Sequence, residues 1–230
     1  QNLCIGCGAQ IQTTAKEQAG YIPKSALGKG LESGKIYCQR CFRLRHYNEI
    51  TDVHISDDDF LKLLHEVGDS RALVVNVIDI FDFNGSVIPG LQRFISSNDL
   101  LLVGNKADIL PKSVKSGKIT QWLMERAHEE GLRPLDLILT SAQNKWAIKE
   151  LIAKIEELRQ GRDVYVVGVT NVGKSTLINA IIQEITGDKD IITTSRFPGT
   201  TLDKIEIPLA DGSHIYDTPG IIHRHQMAHY

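Results

Sequence analysis

Five short segments of this chain carry residue types at spacings that suit the chemistry of a guanine nucleoside triphosphate. Gly168-x4-Gly173-Lys174-Ser175 is a phosphate-loop pattern set between a strand and a helix. Its glycines let the backbone amides of Thr170, Asn171, Val172, Gly173 and Thr176 close around phosphates, and the helix N-terminus adds a favourable dipole. Lys174 is expected to bridge the β- and γ-phosphates, and Ser175 to donate its hydroxyl oxygen to Mg²⁺. Asp217-Thr-Pro-Gly220 ends an apolar strand. Asp217 would hold a Mg²⁺-bound water, and the Gly220 amide would meet the γ-phosphate. Phe197-Pro-Gly-Thr-Thr201 suits a first switch, with Thr201 closing onto Mg²⁺ and the γ-phosphate and Thr200 as the second choice. In Asn105-Lys106-x-Asp108, the Asp108 carboxylate can accept from guanine N1–H and the 2-amino group, a pairing adenine cannot offer. Asn105 would fix loop and base, the Lys106 stem would lie along the ring, and Ser141-Ala142 offers a backbone amide to O6. The chemical step falls to Lys174, Thr201, Gly220 and Asn171.

The order of these motifs is informative. The base-reading elements precede the phosphate loop, whereas an ordinary GTPase chain begins with the loop, so the two halves are exchanged: a circular permutation. Gly161-Arg162 is the join. The position after Gly220, where many GTPases carry a catalytic Gln, is Ile221, which cannot orient water; slow unassisted turnover follows. Asn171 matches the asparagine that helps bind K⁺ in potassium-stimulated GTPases. His223, His225 and His229 follow Ile221 and are read as exposed or partner-facing. Asp79 and Asp82, at the end of the first sheet strand, are read as loop and cap residues.

The four cysteines form two C-x-x-C pairs, Cys4/Cys7 and Cys38/Cys41. Two such pairs complete a closed structural zinc site, with Gly8 easing the turn that aims amides at the sulfurs. Few apolar residues lie between the pairs, so the segment needs a staple. Disulfides sit badly with a cytosolic enzyme. Residues 42–48 suit a short helix, and Arg40, Arg43, Arg45 and His46, interleaved with Phe42 and Tyr47, suit contact with RNA phosphates and bases.

The elements that must position these groups follow an alternating pattern. A linker helix is predicted over 52–69, with Phe60, Leu61, Leu64 and Val67 at helical spacing. The continuous apolar run 71–79 suits a strand buried on both faces. Strands at 100–104, 135–140 and 164–168 alternate with helices at 113–131, 145–160 and 174–186. Strands near 204–209 and 214–216 suit a hairpin around Asp211-Gly212. The polar stretch 187–198 is expected to order only with GTP. The fold class is therefore α/β, a doubly wound, mostly parallel sheet, with a cysteine module at residues 1–50, a linker at 51–70 and the permuted domain at 71–230.

Composition excludes little else. The chain is 42% hydrophobic and 23% charged with net charge -2, and no apolar run approaches membrane-spanning length. A soluble cytosolic protein is the simple reading, and the start at Gln1 suggests a trimmed product or fragment. Residues 1–50 hold seven Lys/Arg against three Asp/Glu, the remainder 19 against 25, so the basic end suits an acidic partner.

Cys4-Ile-Gly-Cys7, Tyr37-Cys-Gln-Arg-Cys-Phe42, the stretch from Val77 to Gly85, the permuted motifs and the segment from His225 to Tyr230 together resemble the YqeH family of circularly permuted bacterial GTPases. The resemblance implies a treble-clef-like zinc module, Mg²⁺-dependent GTP hydrolysis to GDP, and a role in assembling the small (30S) ribosomal subunit. It also implies a C-terminal domain continuing past the second switch, able to couple nucleotide state to RNA grip. Plant organellar relatives have been linked to nitric oxide synthesis, but nothing here suits haem and flavin. Two other classes compete: a nucleotide-gated scaffold with incidental hydrolysis, which Ile221 favours, and a P-loop kinase, which Asn105-Lys106-x-Asp108 disfavours.

Overall fold

The computed structural model describes residues 2–50, 57–111, 113, 115–187, 192–200 and 202–221. Helix α1 (Lys24–Ser33) and helix α2 (Gln39–Ile50) belong to the cysteine segment. α2 opens at Gln39, so its first turn already contains Cys41. Helix α3 (Asp57–Asp69) follows, and Leu63, Leu64 and Val67 face the core from it. The first five residues of the linker helix predicted from the sequence, 52–56, lie outside the described residues.

Strand β1 (Leu73–Asp79) forms where the apolar run predicts it, and Leu73 to Ile78 are all buried. Such a run has no polar face to turn to water, so it must pair on both edges and be covered on both sides. After the short helices α4 (Phe83–Ser86) and α5 (Leu91–Ile95), strand β2 (Leu100–Asn105) is buried along its whole length. Burying each Leu or Val contributes about 1.5–3 kcal/mol, and these two strands supply most of the sheet's centre. A 3₁₀ turn (Ala107–Ile109), helix α6 (Ser116–Glu129), strand β3 (Asp136–Leu139) and helix α7 (Lys145–Arg159) complete the first half. The second half holds β4 (Val164–Val167), α8 (Lys174–Thr186), β5 (Thr193–Arg196), β6 (Asp203–Pro208) and β7 (His214–Asp217).

The strands form one seven-stranded sheet in the order β3-β2-β1-β4-β7-β6-β5. All pairings are parallel except β5–β6 and β6–β7. β4, which leads into the phosphate loop, lies between β1 and β7, so the C-terminal ends of β1, β2, β4 and β7 open onto one edge. That edge is where a doubly wound sheet binds its ligand. The halves meet at residues 160–163, where Gln160 (φ 47°) and Gly161 (φ 77°) turn the chain out of α7 and into β4. The buried Arg159 guanidinium donates to the Arg162 carbonyl (3.1 Å), to Glu156 (2.7 Å) and to Asp211 (2.8 Å) in the β6–β7 turn.

Within the polar stretch 187–198, a short strand forms that the sequence pattern did not mark. Thr193–Arg196 pairs antiparallel with β6, and Ser195 Oγ donates to Glu206 Oε1 at 2.6 Å. The strand is mostly exposed, and cross-strand pairing rather than burial sets it.

Candidate guanine-nucleotide site

The phosphate loop leaves β4 and turns into α8. Asn171 (φ 69°) and Gly173 (φ 83°) are left-handed, and alternation of this kind turns successive amides toward one concavity. Gly173 is required twice over. Its φ suits glycine, and a Cβ there would lie 2.5 Å from Asn105 Nδ2. Lys174 is buried and donates to Asp217 Oδ1 at 2.6 Å and to the Thr218 carbonyl. The phosphate-loop lysine and the first residue of Asp217-Thr-Pro-Gly220 therefore form one buried ion pair. Ser175 and Thr176 open α8, Ser175 half-buried and Thr176 exposed.

The strand of the second switch is held just as firmly. Thr218 donates through its hydroxyl to the Val166 carbonyl (2.8 Å). Ile221 donates to the Gly168 carbonyl and accepts from Thr170 N–H, both at 2.9 Å, with its side chain 3% exposed. The position after Gly220 is thus sunk in the core. Thr200 caps its own turn, accepting from Leu202 N–H at 3.1 Å and donating to the Phe197 carbonyl at 2.8 Å. Thr201, His223, His225 and His229 lie outside the described residues.

The base-reading elements reach the phosphate loop directly. Asn105 Nδ2 donates to the Val172 carbonyl at 3.0 Å, and Lys106 Nζ to the Asn171 carbonyl at 3.3 Å. Lys106 is left-handed (φ 73°), which lifts Asp108 into solvent at the site's open edge. Ser141 is buried beside it, and Ala107 N–H donates to the Thr140 carbonyl at 3.0 Å, tying the two loops together.

The cysteines converge as well. Their four Sγ atoms lie within 4.8 Å of one another, with Cys7 and Cys38 at 3.9 Å. A tetrahedron of Zn–S bonds spaces its sulfurs about 3.8 Å apart, so the donor set fits Zn²⁺. Cys38 N–H donates to Cys4 Sγ (3.2 Å) and Asn179 Nδ2, from α8, to Cys41 Sγ (3.1 Å), bonds that suit thiolates. Hydrogen bonds led by Cys38 hold the Cys4 thiol far below its ordinary range and Cys7 at about 6. The same sharing, led by Cys4 for Cys38 and by Cys38 for Cys41, pushes those two up. The cluster cannot carry four negative charges unaided, and a divalent cation removes that conflict. Gly6 leaves room for the cluster, since a Cβ there would lie 2.9 Å from Cys41 Sγ.

With this geometry in hand, comparison with known proteins is decisive. The family model described as 50S ribosome-binding GTPase matches residues 163–229. The match begins at β4, where a phosphate-loop-first domain begins, and leaves Asn105 and Asp108 upstream. The YqeH protein of Bacillus subtilis is 60% identical over 99% of this chain. Along its whole length the chain is similar to YqeH, and its last third matches a GTPase family model. It spans 61% of that relative's length. The chloroplastic/mitochondrial NO-associated protein 1 of Arabidopsis thaliana is 31% identical over 99% of this chain and 45% of its own length. The human nitric oxide-associated protein 1 is 28% identical over 90% of this chain and 36% of its own length.

Three residues of this chain, Asp79, Arg40 and Asn179, take places that sequence reasoning did not assign. Asp79 is more than a loop residue: its carboxylate accepts from Lys106 Nζ at 2.6 Å and from Phe81 N–H at 2.9 Å. Asp82 is the cap expected of it, accepting from Gly85 N–H at 3.0 Å. Arg40 is 2% exposed and donates to Gln183 of α8 at 3.1 Å, so it is withdrawn from the surface offered to RNA. Asn179, the thiolate donor, carried no sequence signal beyond its place one turn after Ser175. Arg43 and Phe42 are exposed, while the side chains of His46 and Tyr47 are not described.

Proposed function

We propose that this chain is the GTP-binding and GTP-hydrolysing switch of a ribosome-assembly factor, acting in the cytoplasm on the small (30S) subunit. The observation that carries the nucleotide reading is the hydrogen-bonded continuity of base reader and phosphate loop through Asn105–Val172 and Lys106–Asn171. Asp108, Lys106 and the Ser141-Ala142 amide hold guanine, while Thr170 to Thr176 cradle the phosphates. Lys174 exchanges the Asp217 carboxylate for β- and γ-phosphate oxygens. Asp217, Ser175 and Thr201 would hold Mg²⁺, which would neutralise charge developing on the transferred phosphoryl group. The Gly220 amide meets the γ-phosphate. Cys4, Cys7, Cys38 and Cys41 hold Zn²⁺ in a module of residues 1–50, joined through 51–70 to the GTPase domain at 71–230.

Ile221 is locked into the core and offers no polar group to water, so turnover is slow until a partner or ion supplies one. Asn171, exposed within the phosphate loop, is the proposed K⁺ ligand. Among the described residues no helix is long and apolar enough to cross a membrane. The small-subunit assignment rests on the family resemblance, and the ribosomal one also on the matched family's description. Because that description names the 50S subunit, the experiment separates the two.

The experiment is GTP turnover by the full-length protein with 30S subunits, with 50S subunits and with neither, in KCl and in NaCl of equal ionic strength. The reading requires marked stimulation by 30S. Stimulation by 50S alone moves the partner. No stimulation, with GTP still bound specifically, leaves the nucleotide-gated scaffold, and equal rates in the two salts end the K⁺ assignment.

A further inference from the structure

A cavity of about 690 Å³, within the size range of small-molecule sites, separates the cysteine segment from the top of α7 and α8. One wall is built from Ala142, Ser175 and Thr176, and the facing wall from Gly8, Tyr37 and Arg45. In the nucleotide reading above, on which this inference rests, Ala142 stands at the guanine edge and Ser175 and Thr176 at the phosphates. The ribose joins base to phosphates, so the same reading puts it beside this cavity. The wall it faces comes from the cysteine segment.

That wall is prepared for a polar ligand. The Arg45 guanidinium lies 4.8 Å from the Tyr37 ring centroid and donates to the Tyr37 hydroxyl, so its planar fork is pre-organised. Lys145 adds a second cation, while Glu184 is drawn toward Lys149 at 4.0 Å. Asn179 lines the same cavity. Its amide nitrogen is spent on Cys41, and its Oδ1, in a residue 5% exposed, has no hydrogen-bond donor among the described residues.

We propose that the cysteine segment forms the sugar-side wall of the guanine-nucleotide site, with Arg45, set by Tyr37, contacting the ribose and α-phosphate portion of GDP or GTP. The Asn179–Cys41 and Arg40–Gln183 bonds brace this wall on α8, one and two turns beyond Ser175. Nucleotide and zinc then stabilise each other, because a coupling between two sites is reciprocal.

The test is calorimetric titration of unlabelled GDP into the zinc-loaded chain, comparing wild type, Arg45→Ala, and Lys35→Ala as a cation of the same segment outside the cavity. Zinc content is measured on each sample. Arg45→Ala should weaken GDP about tenfold, the loss of one charge-assisted hydrogen bond, with zinc retained. Lys35→Ala should stay within twofold. Saturating GDP should also slow zinc release to a chromogenic chelator in wild type and less so in Arg45→Ala. Should Arg45→Ala shed zinc, Arg45→Met keeps the packing stem and takes its place. Equal GDP affinity in wild type and the zinc-retaining variant overturns the proposal. A wild type that binds no GDP overturns the nucleotide reading itself.

Discussion

Lys106 is held from two sides, by the Asp79 carboxylate at 2.6 Å and the Asn171 carbonyl at 3.3 Å. Its charge is matched locally, which leaves its stem extended along the edge where guanine is proposed to lie. Asp108, two residues on, is exposed and takes no part in that pairing. Recognition of the guanine N1–H and 2-amino group should therefore rest on the Asp108 carboxylate. In Asp108→Asn, the carboxamide still accepts from N1–H but presents N–H to the base's 2-position. GTP should bind about 100-fold more weakly, and XTP, whose 2-oxo group accepts that N–H, should become the preferred nucleotide in competition titrations. The motif Asn105 to Asp108 could be read along the chain because its residues are contiguous. Asp79 could not, because it lies 27 residues from Lys106 and only the β1–β2 pairing brings them together.

Helix α8 serves two sites at once. Its N-terminus receives the phosphate loop, and one turn further Asn179 donates to Cys41 while Gln183 accepts from Arg40. A donor to a metal-bound thiolate lowers the charge the sulfur must carry and fixes its direction. Loss of such outer partners commonly costs 10–100-fold in metal affinity. Asn179→Ala should therefore release zinc to a chelator at least about tenfold faster, while far-ultraviolet circular dichroism shows the helix intact. Unchanged release would mean the contact is packing alone. The helix itself was readable from Leu177, Ile181 and Ile185 at helical spacing, and Leu177 and Ile181 are buried, together with Ile178 and Ile182. The partner of its remaining face was not, because nothing local tells a polar residue aimed at solvent from one aimed at sulfur. β5 was missed for a related reason: its residues are mostly exposed, so neither burial nor alternation marks it.

For the whole molecule, the join between exchanged halves is a structural problem solved by charge. Arg159 is buried and its hydrogen bonds link α7, the 160–163 turn and the β6–β7 hairpin. Arg159→Ala should lower stability by about 2 kcal/mol and the melting temperature by about 4–8 °C. Its partner Asp211 is held down to about 2, first by the Ser213 backbone N–H and then by Arg159. A depressed carboxylate contributes stability above its ordinary value of 3.8 and loses it as pH falls toward 2. The gap between wild type and Arg159→Ala should therefore be full at neutral pH and narrow across that acid window. A gap independent of pH would assign the effect to packing.

Sequence alone determined where short, contiguous patterns lie and what chemistry they suit. The phosphate loop, the guanine reader and the paired cysteines each need only the local backbone that their own residues favour, and their exchanged order follows from reading along the chain. Strands β1 and β2 were legible for the same reason, since an apolar run of six or seven residues suits a strand buried on both faces. Tertiary structure alone decided which groups meet across long separations: Asp79 with Lys106, Lys174 with Asp217, Asn179 with Cys41, and the cysteine segment with the nucleotide edge. Those meetings depend on strand order and helix packing, which sum many weak contacts and leave no signature at any one residue.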